Sequence, residues 1–244
     1  MKIDFNCDLG EGEPVAWTRA LMRWITSANV ACGGHEGNLQ NMVRCVQLAR
    51  RFGVRVGAHP GPWSRDDRGR GFVRITPEEL ELLLLHQVSA FELVTRREEM
   101  QLHHIKLHGA LYHATESDEL LARCYIATVR RWWPRAKIYA LAGGTVARVA
   151  LRSGVAVWEE AFADRGYRDD ASLVPRGGPD ALLTNVATVT ERVLDLVTRH
   201  QVATVTGHIF QLRPQTICLH SDTPNAVKLA KAIGRLRRCG RNEL

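Results

Sequence analysis

Short apolar runs alternate with longer amphipathic stretches from one end of the chain to the other. Alternation of this kind is typical of repeated βα units built around a parallel sheet. The apolar runs predict seven strands, near Ile3–Leu9, Ile25–Cys32, Val54–His59, His103–His108, Lys137–Ala142, Ala156–Phe162 and Thr216–His220.

The intervening stretches space apolar residues three and four positions apart, as amphipathic helices do. The clearest examples are 39–52 and 77–97. The second begins at Thr76, which can cap a helix, and continues with Pro77, which fits a first turn, and Glu79, which completes a capping box. One segment breaks the alternation: residues 202–213 alternate apolar and polar positions about Gly207, which predicts a β-hairpin before the last strand.

We predict an α/β fold in one domain covering residues 1–244, since no linker or repeat marks a boundary. Periodicity alone does not decide whether the parallel sheet stays open or closes into a barrel. In both architectures ligands bind beyond the carboxyl ends of the strands.

Composition excludes several classes of protein. Hydrophobic residues make up 45% of the chain and charged residues 24%, which is typical of a globular protein rather than a disordered or fibrous one. No apolar run is long enough to cross a membrane, and Asp4 and Asp8 occupy the place of a signal-peptide core, so we expect a cytoplasmic location. The six cysteines form no CxxC pair, and we expect reduced thiols.

The net charge is +7, and the chain ends in a basic stretch that contains Lys228, Lys231, Arg235, Arg237, Arg238 and Arg241. Because no stacking aromatic residues or nucleic-acid motif accompany these charges, we interpret them as a solvated last helix and expect no nucleic-acid partner.

Ionisable residues gather at the predicted strand ends, which we call mouths. The first three mouths carry Asn6, Asp8 and Glu11, then Asn29 and His35, then His59. The later mouths carry Lys106 and His108, then Asp164, Arg165 and Arg176, and finally His220 and Asp222. Several of these residues are two positions apart on a strand and therefore share a face. Burial of so many ionisable groups costs free energy. Their occurrence together at the carboxyl ends of the predicted strands therefore predicts a functional site.

Two kinds of chemistry remain open at this point. Asp8, His35, His59 and His108 could bind a divalent metal, because imidazole and carboxylate suit zinc or manganese. Alternatively, Asp8 or Asp164 is a general base while cationic side chains hold anionic groups, which is the interpretation we favour. No Walker-type loop is present, but residues 141–145, which contain Gly143 and Gly144, are a candidate phosphate-binding turn.

The order of motifs resembles that of the LamB/YcsF family over nearly the whole chain. The resemblance rests on six blocks: Asn6-Cys7-Asp8-Leu9-Gly10-Glu11-Gly12, Ser27-Ala28-Asn29-Val30-Ala31-Cys32-Gly33, Gly57-Ala58-His59-Pro60-Gly61, Lys106-Leu107-His108-Gly109-Ala110-Leu111-Tyr112, Phe162-Ala163-Asp164-Arg165 and His220-Ser221-Asp222-Thr223-Pro224. It implies a distorted seven-stranded (β/α) barrel similar to glycoside hydrolases and deacetylases.

The resemblance also implies a reaction. The family includes the A subunit of ATP-dependent 5-oxoprolinase, which cleaves the lactam of 5-oxoproline to L-glutamate with ATP hydrolysis and with B and C subunits. We therefore expect ATP, and a divalent cation such as Mg or Mn, as cofactors. In this scheme the catalytic residues are Asp8, Glu11, His35, His59, Lys106, His108 and Asp164, and the substrate- or phosphate-binding residues are Asn6, Asn29, Arg165, Arg176, His220 and Asp222.

The chain departs from the family pattern within residues 34–39, 62–74 and 221–223, which follow predicted strand ends. Asn38, for example, stands where the family has an acid. Altered substrate preference or lost activity is therefore an open alternative, as are a metal-dependent amide or N-acetyl hydrolase and a noncatalytic lactam-binding subunit.

Overall fold

The structure is a computed structural model and describes residues 3–239. Seven parallel strands form its centre: β1 (Asp4–Leu9), β2 (Ser27–Ala31), β3 (Arg55–His59), β4 (Leu102–Ile105), β5 (Lys137–Leu141), β6 (Val157–Phe162) and β9 (Thr216–His220). They pair in the order β1-β2-β3-β4-β5-β6-β9, and β9 pairs with β1 to close the barrel. The predicted α/β fold and the seven-stranded (β/α) barrel are confirmed.

Eight helices in the described range flank the barrel: α1 (Val15–Met22), α2 (Leu39–Phe52), α3 (Pro77–Arg97), α4 (Gly109–Ser117), α5 (Glu119–Trp132), α6 (Thr145–Arg152), α7 (Val186–Leu194) and α8 (Ala226–Cys239). A π-helical turn, Asp195–Arg199, follows α7. None of the helices within residues 3–239 is both long and apolar enough to cross a membrane.

The helix boundaries follow from capping residues in the sequence. In α3, the Thr76 side chain accepts the Glu79 N–H, and the Glu79 carboxylate accepts the Thr76 N–H, which forms the predicted capping box. In α2, the Asn38 side chain accepts the Asn41 N–H, and the helix ends at Gly53 with φ 66°. A positive φ of this kind favours glycine at a helix end.

The predicted hairpin is present as β7 (Gln201–Ala203) and β8 (Ile209–Gln211), which pair antiparallel outside the barrel. The fourth strand is shorter than predicted, because β4 ends at Ile105 and the prediction continued to His108. Beyond β4 the chain still follows β3: the Lys106 N–H donates to the Ala58 carbonyl and the His108 N–H to the Pro60 carbonyl. Lys106 and His108 therefore keep their places at the barrel mouth.

The strands separate a polar barrel interior from an apolar outer core. In β1, Phe5, Cys7 and Leu9 belong to the hydrophobic core, whereas the residues between them contact polar side chains of other strands. Asp4 accepts hydrogen bonds from Ser27, Thr216 and Tyr139 at the amino-terminal end of the barrel.

The cysteines and the basic stretch near the end of the chain can both be located in the fold. Five described cysteines, Cys7, Cys32, Cys45, Cys124 and Cys218, are free thiols as predicted, while the Cys239 side chain lies outside the described part. The basic stretch lies on α8, where Lys228, Lys231, Arg235 and Arg238 are exposed. Arg241, the last member of that stretch, lies outside the described residues.

Candidate functional site

A cavity of about 280 Å³ lies at the carboxyl ends of the barrel strands. Its polar lining includes Asp8, His59, Lys106, His108, Arg165, Arg176 and His220. All seven were predicted as site residues from separate strand ends. The barrel brings them together because parallel strands present their carboxyl ends at the same rim.

Lys106 forms the centre of a buried charge network. Its Nζ lies 3.2 Å from Asp8 Oδ1, 2.9 Å from Glu160 Oε1 and 3.0 Å from Cys218 Sγ. Burial alone would lower the pKa of Lys106, but the two carboxylates raise it well above its usual value. Lys106 is therefore a stable cation at the floor of the cavity.

Asp8 stays ionised next to that cation. Burial alone would raise its pKa, but Lys106, His59 and His220 lower it below the ordinary value. The Asn29 side-chain amide also donates to Asp8 Oδ1 at 2.7 Å, which fixes the carboxylate. Asp8 Oδ2 then lies 3.6 Å from His59 Nε2 and 3.8 Å from His220 Nε2.

Three imidazoles surround Glu11 beside the cavity. Glu11 Oε1 lies 2.9 Å from His35 Nε2, 3.0 Å from His108 Nδ1 and 3.6 Å from His59 Nε2. Burial lowers the pKa of His59 to about 3 and also lowers that of His35. Burial alone would raise the pKa of Glu11, but His108 and its other histidine partners lower it well below the usual value.

This grouping differs from the predicted metal set, which placed Asp8 with the three histidines. In the structure Glu11 Oε1, His35, His59 and His108 offer donor atoms within 4.8 Å of one another, and Asp8 groups with Cys218 and His220 instead. Glu11 reaches the histidines because the turn after β1 contains Gly10 and Gly12, both with positive φ, and folds back over the mouth.

Asp164 lies behind His220 and does not line the cavity. Its Oδ1 lies 3.0 Å from His220 Nδ1, and its Oδ2 accepts hydrogen bonds from the His220 backbone N–H and the Thr223 hydroxyl. Burial alone would raise the pKa of Asp164, but His220 and Thr223 lower it. Since both oxygens are engaged, Asp164 orients His220, and the predicted role as a general base in contact with substrate does not fit this position.

Asn6 and Asn29 lie inside the barrel, beneath the cavity, and do not line it. Asn6 donates to Glu160 and Thr216, and its side-chain oxygen accepts a hydrogen bond from Asn29. Asn29 in turn accepts a hydrogen bond from His104 at 2.6 Å. Both asparagines were predicted to bind substrate, but the structure places them where they support Asp8 and Glu160.

Arginines surround the outer part of the cavity. Asp222 accepts a hydrogen bond from Arg70 at 2.6 Å and pairs with Arg176 at 3.2 Å. Arg165 lines the cavity while donating to the carbonyls of Ala181 and Val174, so it also holds the loop that follows β6. The predicted residues Arg165 and Arg176 thus line the cavity, and Asp222 pairs with Arg176 beside it.

Five polar residues of the site were not predicted from the sequence: Glu160, Tyr112, His113, Cys218 and Arg70. Glu160 lies within β6, two residues before Phe162, and its Oε2 accepts a hydrogen bond from the Tyr112 hydroxyl at 3.4 Å. Asn6 was identified because it precedes Asp8 by two positions on β1 and therefore shares its face. Glu160 has the same spacing from Phe162 on β6, and Cys218 has it from His220 on β9. Arg70 gave no comparable signal, because it lies in a loop.

The candidate phosphate-binding turn is filled by a protein carboxylate. Glu116 Oε2 accepts the Thr145 N–H at 2.6 Å, and a Cβ at Gly144 would overlap the same carboxylate. Burial raises the pKa of Glu116 to about 7. The turn is therefore an ordinary connection between β5 and α6, in which Glu116 occupies the anion position.

Two of the departing stretches differ in their relation to the cavity. Asn38 is exposed and caps α2, so its side chain contributes no group to the cavity. The departing stretch at 62–74 does reach the site, because the Arg68 carbonyl accepts a hydrogen bond from His108 and Arg70 pairs with Asp222.

The fold and the cavity define a parallel (β/α)-barrel protein with a charged, buried ligand pocket at the carboxyl ends of its strands. The chain belongs to the LamB/YcsF family, whose pattern it matches over residues 3–240, and the predicted resemblance is confirmed.

Named relatives agree with this assignment. The chain is 41% identical to the 5-oxoprolinase A subunit of Thermococcus onnurineus over 239 residues, which covers 97% of this chain and 94% of the relative. It is 39% identical to the 5-oxoprolinase A subunit of Pyrococcus furiosus, with 96% and 93% coverage. The crystal structure of a lactam utilization protein from Thermus thermophilus superposes with a TM-score of 0.90 at 33% identity, covering 98% of both chains.

Proposed function

We propose that this chain is the A subunit of an ATP-dependent 5-oxoprolinase and carries the ring-opening step in the cytoplasm, together with B and C subunits. The observation that carries the proposal is the convergence of Lys106, Asp8 and His220 on one cavity. The relatives named as 5-oxoprolinase A subunits and as a lactam utilization protein support the choice of substrate.

The chemistry explains why ATP is needed. A lactam is a resonance-stabilised amide, and its carbonyl carbon is a poor electrophile. Transfer of the terminal phosphoryl group of ATP to the lactam oxygen gives an activated ring carbon. Water then adds to that carbon, and the ring C–N bond breaks with protonation of nitrogen, which leaves γ-glutamyl phosphate. A second water cleaves this acyl phosphate, so that L-glutamate and phosphate are released.

His220 is the residue best placed to accept the proton from water. Its Nδ1 is engaged by Asp164 at 3.0 Å, so its Nε2 can present a lone pair on the side of Asp8. The gap of 3.8 Å between His220 Nε2 and Asp8 Oδ2 borders the cavity. We propose that the attacking water binds there.

The cations take the complementary roles. Lys106 at the floor stabilises negative charge that develops on the oxygen of the reacting carbon, because a buried ammonium group acts strongly in a site shielded from water. Arg70 and Arg176 at the entrance would pair with the carboxylate of 5-oxoproline or with a transferred phosphoryl group.

We propose that ATP acts at a site completed by the B and C subunits. Two observations support this placement. A cavity of about 280 Å³ is at the lower limit for drug-sized ligands, which suits a single five-membered ring better than a nucleotide. In addition, Glu116 fills the one turn that the sequence offered as a phosphate cradle.

The test is glutamate production from 5-oxoproline and ATP by the complex with B and C subunits. His220→Asn should lower kcat about 100-fold or more, and Lys106→Met by a similar factor, because each removes a group that acts in the transition state. His208→Asn removes an exposed imidazole on the hairpin loop and serves as the control.

Circular dichroism verifies that each variant is folded. Near-normal turnover in folded His220→Asn and Lys106→Met would contradict the assigned roles. Binding of 5-oxoproline without turnover in the complete wild-type complex would show a noncatalytic role for this chain instead.

A further inference from the structure

The contact between His59 and His108 needs a positive charge that neither ring provides in its neutral form. His59 Nε2 and His108 Nδ1 lie 3.0 Å apart. The other nitrogen of each ring lies against a backbone carbonyl: His59 Nδ1 is 2.8 Å from the Lys106 oxygen, and His108 Nε2 is 2.9 Å from the Arg68 oxygen. A carbonyl oxygen only accepts hydrogen bonds, so each ring carries its hydrogen on that outer nitrogen.

Both inner nitrogens therefore present lone pairs to one another, and Glu11 Oε1 lies 3.0 Å from the inner nitrogen of His108. Three electron-rich atoms in contact are stable only around a cation. An outer ring nitrogen that donates to a backbone carbonyl is also the usual arrangement around histidines that bind a metal.

We propose that Glu11, His35, His59 and His108 bind one divalent cation of the zinc class. The donor atoms are Glu11 Oε1, His35 Nε2, His59 Nε2 and His108 Nδ1, and all four lie within 4.8 Å of one another. Three imidazoles and one carboxylate form a ligand set that zinc commonly takes.

Four of the six donor–donor separations are close to those of a tetrahedral ion. Zinc–ligand bonds of about 2.0–2.1 Å correspond to donor–donor edges of roughly 3.3 Å in a tetrahedron. The measured separations from Glu11 Oε1 are 2.9, 3.0 and 3.6 Å, and the separation between His59 and His108 is 3.0 Å. Shifts of a few tenths of an ångström would bring these four separations to that value.

Burial and charge also favour this site. His35 is fully buried, and its Nδ1 has no hydrogen-bond partner among the described residues, so stacking on His108 at 3.5 Å and the contact of Nε2 with Glu11 hold the ring in place. Asp8, 3.6 Å from His59 Nε2, adds a second negative charge beside the cluster. Two carboxylates beside three imidazoles suit a dication.

This proposal goes beyond the proposed function and does not depend on the substrate. Glu11 and His35 are absent from the cavity lining, whereas His59 and His108 line it. A bound ion would therefore lie behind the cavity wall and fix the orientation of the two histidines that face the ligand.

The test is metal binding by the full-length chain after chelator treatment and dialysis. Titration with Zn²⁺ should show one tight site per chain. Co²⁺ in the same site should give the visible absorption of a tetrahedral ion with nitrogen ligands. Zinc should also raise the melting temperature, because it binds only the folded chain.

Variants locate the ion. Glu11→Gln and His108→Asn should each weaken Zn²⁺ binding by about 100-fold or more, since loss of a ligand costs at least as much as loss of its supporting hydrogen bond. His208→Asn, which removes an exposed imidazole, should bind zinc as the wild type does.

Absence of saturable Zn²⁺ and Co²⁺ binding to the wild-type chain would overturn the proposal and would show that a shared proton supplies the charge. Tight binding that survives in both variants would place the ion elsewhere and would also overturn it. Wild-type cobalt spectra identify the ligand type even if a variant fails to fold. Because every readout is binding, failure here is distinguishable from failure of the proposed reaction.

Discussion

At the residue scale, the pairing of Asp164 with His220 determines which side chain can accept a proton. Asp164 is fully buried and engages Nδ1 of His220, so the other ring nitrogen faces the cavity side. Sequence alone placed both residues at the mouth, but it predicted Asp164 as a catalytic residue and His220 as a substrate- or phosphate-binding residue. The positions of the two residues at strand ends predict that they lie near each other. Which of them faces the cavity depends on the pairing of β6 with β9, which the sequence does not give.

We predict that Asp164→Asn lowers kcat for glutamate formation by about 10- to 100-fold, as expected when a group that orients a catalytic residue is lost. The KM for 5-oxoproline should change little, because Asp164 does not line the cavity. Asp169→Asn, at an exposed carboxylate near the hairpin, is the control. A rise in KM that accounts for most of the lost kcat/KM would indicate a general structural role for Asp164 rather than positioning of His220.

Most of the site was predictable at this scale because polar residues recur at every second position near strand ends. Glu160 was missed because it lies inside β6, two residues before the strand end. A polar residue within a strand usually faces solvent, whereas Glu160 faces the barrel interior. Arg70 was missed because its place depends on a loop path that no periodicity encodes.

At the scale of elements, capping residues determine where helices begin and thereby where the mouth loops end. The boundaries of α2 and α3 match the prediction, since Asn38, Thr76 and Pro77 are strong local signals. The end of β4 did not match. Beyond Ile105 the chain still runs beside β3, but it is no longer part of a strand. Side chains alternate in both kinds of segment, so the alternation in the sequence does not show where the strand ends.

We predict that Thr76→Ala lowers the free energy of unfolding by about 1 kcal/mol, because it removes the side-chain acceptor of the capping box. Thr76→Ser keeps a hydroxyl at the same position and should be close to wild type. Urea unfolding followed by circular dichroism measures both. Equal destabilisation by serine and alanine would show that the hydroxyl does not cap α3.

At the scale of the whole molecule, closure of the barrel creates the site. The pairing of β9 with β1 places Cys218 and His220 beside Asn6 and Asp8, and residues from opposite ends of the chain then share one cavity. The alternating pattern did not distinguish this closure from an open sheet, because both use the same βα units. The family resemblance supplied that information, and the structure agrees with it.

The proposed function requires that the cavity at the carboxyl ends of the strands binds the lactam. The most direct measurement is a diffraction structure of the protein with 5-oxoproline bound. We predict the lactam ring in the cavity, with its ring carbonyl oxygen in hydrogen-bond contact with Lys106 Nζ and its carboxylate at Arg70 or Arg176. A complex that binds 5-oxoproline elsewhere, with this cavity free of ligand, would contradict the account.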